Sequence, residues 1–192
     1  MPLPLLADFC NEHPGIEVTL KVGNRAQIIE RLKNNQDDIY IFSQPPEDMP
    51  ITAEAFLLNK LSVIAPHSYG GPDNCSLAGL SNQRVLLREP GSGTRKLVDE
   101  YCRLHSIEFG QPMVIESNEA IRLAVATGLG IAIISEHTLA HTPTDDVKLL
   151  NIEGFPLHNH WQAVTLNSRP ESLAASGFKQ FLREHGDVAK RN

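Results

Sequence analysis

Arg84-Val85-Leu86-Leu87-Arg88-Glu89-Pro90-Gly91-Ser92-Gly93-Thr94-Arg95 is a short apolar run that turns through two glycines into a helical pattern, Leu97 to Leu104. The glycines let the backbone turn tightly and come close to a guest. Ser92 and Thr94 place hydroxyls at a helix start, where several N–H groups have no internal partner. Such a start draws anions through those groups and through the positive end of the helix dipole. Arg95 adds a fixed charge able to fork onto a carboxylate or phosphate. Two readings follow, a pocket for a small anion and a capped helix after a glycine turn. The same residue types serve both.

Outward from this stretch the pattern alternates. It predicts a strand (84–87), a helix (94–106), a strand (112–115), a helix (118–127) and a strand (130–135). Gly128 stands where a helix C-cap glycine belongs. Strand–helix alternation implies parallel strands with helices on their faces. The first part of the chain repeats the theme. Leu3, Leu6, Phe9 and Cys10 recur at helical spacing, and His13-Pro14-Gly15 stops the helix. Ile16, Val18, Leu20 and Val22 alternate with Glu17, Thr19 and Lys21, the pattern of a strand with one polar face. Ile28, Ile29 and Leu32 mark a short helix. Ile39-Tyr40-Ile41-Phe42 reads as a strand buried on both faces. An extended segment follows from about Ile51 to Ala65. After a polar turn (142–146), strands are expected near 147–152 and 161–166. A final helix follows Pro170, with Ser168 and Glu171 at capping-box spacing. If the two stretches are equivalent, the first lacks an opening strand and its loop, so the chain reads as one shortened at its N-terminus.

Length and composition narrow the function. At 192 residues there is room for one large domain or two small ones. A net charge of −6, with no basic cluster, argues against this chain itself gripping a phosphate backbone. No apolar run approaches the ~20 residues that span a bilayer, and Met1-Pro2-Leu3-Pro4 is not a secretory signal. Cys10, Cys75 and Cys102 are odd in number and widely spaced, which suggests a reducing, cytoplasmic setting and no disulfide framework. Cys10 and Cys102 fall on apolar helical positions and read as small core residues. His137 and His141 stand four apart and His158 and His160 two apart, but no third ligand is evident, so no metal is expected. Gly91-Ser92-Gly93 lacks the nucleophile elbow, the dinucleotide loop and the NTPase phosphate loop. Neither catalysis nor a cofactor is implied.

Four segments in order carry a resemblance: Val22-Gly23-Asn24-Arg25, Gln44-Pro45-Pro46-Glu47-Asp48, Arg88 to Arg95, and Thr127-Gly128-Leu129-Gly130-Ile131-Ala132. Together they resemble the effector-binding domain of LysR-type transcriptional regulators, over nearly the whole chain. The subgroup they are most similar to regulates RuBisCO operons and inorganic-carbon uptake. The family's N-terminal winged helix-turn-helix and linker helix are absent, and the first strand of the effector domain and the Ser/Thr-rich turn after it are unmatched.

The resemblance implies an α/β fold of two Rossmann-like subdomains joined by crossing strands, like type 2 periplasmic binding proteins. One subdomain would comprise residues 1–65 and 166–192, the other 66–165. The effector would sit between them, at carboxyl ends of strands. Its expected contacts are Ser92, Gly93, Thr94 and Arg95, with Ser117 and Asn118, Gly128, Leu129 and Gly130, and Ser43, Gln44 and Pro45. Each group also has a plain structural reading as a cap or turn. The implied partners are a small phosphorylated or dicarboxylate metabolite, such as phosphoglycolate, ribulose bisphosphate or 2-oxoglutarate, and further copies of the chain as a homodimer or homotetramer. In the dimer, the helix at Leu3–Asn11 would pack on the partner's helix at Asn118–Thr127. DNA would be reached through the helix-turn-helix alone, and no membrane is involved. The alternative is a stand-alone solute-binding protein for a small oxyanion.

Overall fold

The computed structural model describes residues 3–140 and 146–187. In chain order the elements are α1 (Leu3–Glu12), α2 (Arg25–Lys33), β1 (Tyr40–Phe42), β2 (Ile51–Pro66), β3 (Arg84–Leu87), α3 (Gly93–Leu104), β4 (Gln111–Val114), α4 (Asn118–Ala126), β5 (Ile131–Ser135), β6 (Val147–Leu149), β7 (Leu157–Leu166) and α5 (Leu173–His185). Short 3-10 turns occupy Leu77–Leu80 and Glu136–Thr138. The chain divides into two units: residues up to Leu58 and from Asn159 onward form an outer unit, and Asn59–His158 form a middle unit. The long strands β2 and β7 each run from one unit into the other.

In the middle unit β3 pairs in parallel with β4 on one side and β5 on the other. The second half of β2 pairs antiparallel with β5 and with β6. Successive strand residues point to opposite faces, and both faces are covered. Val85, Leu87, Ile131 and Ile133 join Val98 and Cys102 of α3 in one core cluster. Leu86, Ala132 and Ile134 join Ile121 and Val125 of α4 in the other. Burial on both faces is why β3 and β5 are unbroken apolar runs.

In the outer unit β1 pairs antiparallel with β7, Tyr40 opposite Val164 and Phe42 opposite Gln162. Leu32 of α2 packs against Tyr40, Phe42 and Val164. Helix α1 lies against α5, the Phe9 ring 4.8 Å from Phe178 and 5.5 Å from Phe181.

Three expectations need correction, all in this unit. Ile16–Val22 forms no strand: the segment carries no ladder pairing, and Val18, Leu20 and Val22 are 42%, 47% and 77% exposed. Its alternation is genuine, but among the described residues no strand pairs with it. In β1 Ile41 is half-buried, so that strand is not closed over on both faces. The cap of α5 is Ser172, which accepts from the Ala175 N–H at 3.2 Å. Ser168 does not cap the helix, because Glu171 is drawn elsewhere. Glu171 accepts from Thr165 Oγ1 at 3.0 Å and from the buried Lys179 Nζ at 2.7 Å, and Glu54 reaches the same Nζ at 2.9 Å. A buried ammonium needs such partners.

Candidate functional site

Because β3 and β4 are parallel, with Leu87 opposite Val114, the chain leaves both strands at the same end. Two helix starts therefore arise side by side. Ser92 caps α3: its buried hydroxyl oxygen accepts the Arg95 N–H at 3.5 Å. Gly91, at φ 93°, supplies the left-handed turn just before it. Ser117 caps α4, accepting from the Ala120 N–H at 3.2 Å and donating to Glu119 Oε2 at 2.9 Å. The N–H groups of Gly93, Thr94 and Asn118 have no acceptor among the described residues. They form a small array of donors at two positive helix ends.

Arg88 joins the two starts. Its Nε and Nη2 reach the two Glu89 oxygens at 2.8 and 3.0 Å, and its Nη1 donates to Asn118 Oδ1 at 3.0 Å. Glu89 is 6% exposed, so the pair is shielded. Glu119 sits well placed on the first turn of α4. Its own backbone N–H holds its carboxyl below the ordinary carboxylate range, helped by the Ser117 hydroxyl and Arg88 and opposed by burial.

Arg95 turns away from the role of a free cation. Its Nε pairs with Asp99 at 2.7 Å, one helical turn on, and its Nη1 donates to the Arg88 carbonyl at 2.9 Å. Arg88 is neutralised by Glu89 in the same way. The charge available to a guest therefore comes from oriented amides and helix ends, with Thr94 half-buried beside them.

Gly128, Leu129 and Gly130 are not brought to this array. They precede β5, which runs parallel to β3 in register Val85 to Ile131, so they lie at the opposite end of the strands. Gly128, at φ 83°, is the left-handed residue after α4. A Cβ on Gly130 would lie 2.4 Å from the Arg84 carbonyl oxygen, so close strand packing explains that glycine.

In the outer unit Ser43, Gln44 and Pro45 follow β1. Arg25, on the first turn of α2, donates from Nε to the Gln44 carbonyl at 2.6 Å and from Nη2 to the Pro45 carbonyl at 3.5 Å. Asn159 Nδ2 donates to the Ser43 carbonyl at 3.1 Å. The loop is thus held from two sides. Asn24 and Gln27 close a reciprocal capping box that fixes the start of α2. Of the histidines singled out, His158 and His160 are exposed on β7, and His141 lies outside the described residues, as do Thr142 to Asp145. Among the described residues no three metal-binding side chains come together.

The LysR substrate binding domain family matches residues 3–187. The chain belongs to that family. It is 40% identical over 187 residues to the HTH-type transcriptional activator CmpR of Synechocystis sp., covering 96% of this chain and 62% of that protein. It is 39% identical over 181 residues to the RuBisCO operon transcriptional regulator of Acidithiobacillus ferrooxidans, covering 93% of this chain and 59% of that protein. The chain thus spans about three-fifths of the length of these curated relatives. Among solved structures, the Synechocystis PCC6803 CcmR regulatory domain in complex with 2-PG superposes with a TM-score of 0.89 at 35% identity, over 96% of this chain and 90% of that one. The fold of this LysR substrate-binding domain is accordingly the type 2 periplasmic-binding-protein-like α/β fold. Its named relatives are transcriptional regulators, and the part of them that this chain matches is the substrate binding domain.

Two features of the domain escape a reading of hydroxyls and glycines alone. Glu89 is a buried acid that neutralises Arg88, and the adjacency of the two residues was a usable signal. Asp99 stands four residues after Arg95 on the same helix face, the spacing at which a pair is expected.

Proposed function

We propose that this domain senses a small phosphorylated or dicarboxylate anion, held by the paired helix starts of the middle unit, and that it serves a DNA-binding transcriptional regulator. Thr94, Gly93, Ser92 and Asn118 are the contacts proposed, with Arg88 as the link that keeps the two starts in register. The observation that carries this reading is the set of unpartnered N–H groups on Gly93, Thr94 and Asn118 at one end of β3 and β4. Paired cations alone would not favour an anion there, whereas oriented amides do. The complex of the CcmR regulatory domain with 2-PG supports a ligand of this class. Ser43, Gln44 and Pro45 are proposed as a second set of contacts, on the loop that Arg25 holds. Binding would bias the regulator by favouring one of its arrangements over another.

The test is a thermal-shift titration with phosphoglycolate, ribulose bisphosphate and 2-oxoglutarate. One of these is expected to raise the melting temperature in a dose-dependent way, and Thr94→Val to weaken that rise. An equal rise in the variant removes Thr94 from the site.

We also propose that the domain works as a homo-oligomer. Leu123, on the outer side of α4, is 56% exposed, and Leu3 on α1 is 49% exposed. Sedimentation should show Leu123→Asp shifted toward the monomer. An unchanged distribution removes α4 from the contact. DNA contact, for the full regulator, belongs to a helix-turn-helix outside this domain.

A further inference from the structure

At the end of the middle unit's sheet where the two helix starts arise, a third exit of the chain stands beside them. β5 is parallel to β3, with Leu86 opposite Ala132. Ser135 lies three residues beyond Ala132, as Glu89 lies three beyond Leu86. Both exits therefore reach about 10 Å past that pair, at ~3.3 Å per residue. There the two connections part. From β3 the chain crosses through α3 to β4, whereas from β5 it continues to β6, on the far edge of β2. Adjacent parallel strands whose connections diverge leave a crevice at their carboxyl ends, the place where open α/β sheets hold ligands. One side of this crevice is Arg88–Thr94, and the other is the turn Ser135–Thr138.

Buried polar side chains tie this turn to β2. Ser135 donates from Oγ to Asn59 Oδ1 at 2.6 Å and accepts the His137 N–H at 3.3 Å. Ser62, also buried, donates to Glu136 Oε1 at 2.5 Å. Replacing both partners of a buried hydrogen bond by apolar groups is nearly neutral for stability, so stability alone does not account for these pairs. What such pairs add is a fixed geometry. The Ser62 bond fixes the place of a charge. Glu136 is an acid on the wall opposite a set of N–H donors that suit an anion. A loose carboxylate there would repel the guest and take the donors itself. Ser62 draws it back onto β2. We propose that Ser135–Thr138 forms the second wall of the effector crevice, and that Ser62 is a positioning residue that keeps the Glu136 carboxylate off the N–H groups of Gly93 and Thr94. The proposal rests on the helix-start reading and adds the exit of β5 to it. All of its residues belong to the middle unit.

The test titrates phosphoglycolate, ribulose bisphosphate and 2-oxoglutarate in turn by calorimetry, and reads hydrogen exchange by mass spectrometry on fragments covering 88–96 and 133–139. With the anion that binds, roughly tenfold slower exchange is expected in both fragments. Slowing confined to 88–96 overturns the second wall and leaves the helix-start reading standing. Slowing in neither fragment removes that reading and this proposal with it. Ser62→Ala should weaken the anion about tenfold, because the carboxylate is released. Combining Ser62→Ala with Glu136→Gln should return affinity to within about twofold of the unaltered chain, since the released group is then neutral. A purely structural role for Ser62 would leave the double variant as weak as the single one and would overturn the assignment, as would undiminished binding by Ser62→Ala. Glu136→Gln alone keeps an acceptor for the Ser62 hydroxyl and should bind the anion at least as tightly as the unaltered chain. Weaker binding by that variant would also overturn the proposal.

Discussion

The middle and outer units repeat one pattern of strand, helix and strand, and they realise it differently. In the middle unit, β3 is an apolar run with a partner on each edge and a helix on each face. In the outer unit, Ile16–Val22 has cleaner alternation than β3, yet among the described residues it joins no ladder. The difference shows what alternation encodes. It sets which side chains share a face, a property local to the segment. Hydrogen-bonded pairing needs a second edge, which no residue inside the segment can supply.

The largest expected effect separates these two runs directly. Leu86 is fully buried between β3 and α4, whereas Leu20 is 47% exposed. Leu86→Ala should destabilise the domain by about 2–5 kcal/mol through lost burial and the cavity left behind. Leu20→Ala should cost roughly 0.5 kcal/mol or less, as for an exposed position. Urea unfolding of both variants checks this. Similar losses would mean that Ile16–Val22 is packed as well as β3 is.

A second, smaller effect concerns how the outer unit secures its closing helix. Lys179 is 7% exposed and bound by Glu171 and Glu54. Burial alone would lower its pKa, but the hydrogen bonds and charges of the two carboxylates outweigh it and the net shift is upward. The Lys179 hydrogen bond is the main cause holding the Glu171 carboxyl below its ordinary 4.5. A depressed carboxyl contributes stability that is present above its unfolded pKa and lost as pH falls through the folded value. A raised lysine contributes stability that is present below its unfolded 10.5 and lost as pH rises through the folded value. Lys179→Met should cost on the order of 1 kcal/mol near neutrality, because both carboxylates remain about a third exposed. It should also flatten the loss of melting temperature below pH 4.5. An identical acid limb in the variant would show that Glu171 does not depend on Lys179.

Much of this was legible beforehand, for physical reasons that differ by element. The apolar spacing in α3 and α4, and the continuous runs in β3 and β5, depend on local period, so the middle unit could be read almost residue by residue. The cap of α5 could not. Ser168 and Ser172 both have suitable chemistry, and the choice was made by Lys179, which takes Glu171 away. At the candidate site, Ser92 and Ser117 were readable as helix starts. The engagement of Arg95 by Asp99 was readable in principle from its spacing. The close approach of Gly130 to Arg84 was not, because it depends on which strand lies beside β5.

The smallest effect is the most discriminating for the unpaired segment. Val22 is 77% exposed, the last apolar residue of the alternating run. Threonine has nearly the same shape and similar strand preference, differing by a hydroxyl. Where the edge is open to water, that hydroxyl is solvated and Val22→Thr should change stability by less than about 0.5 kcal/mol. Urea unfolding of the variant checks this: a loss of about 1–3 kcal/mol would mean that the hydroxyl is buried without a partner and that Val22 is covered.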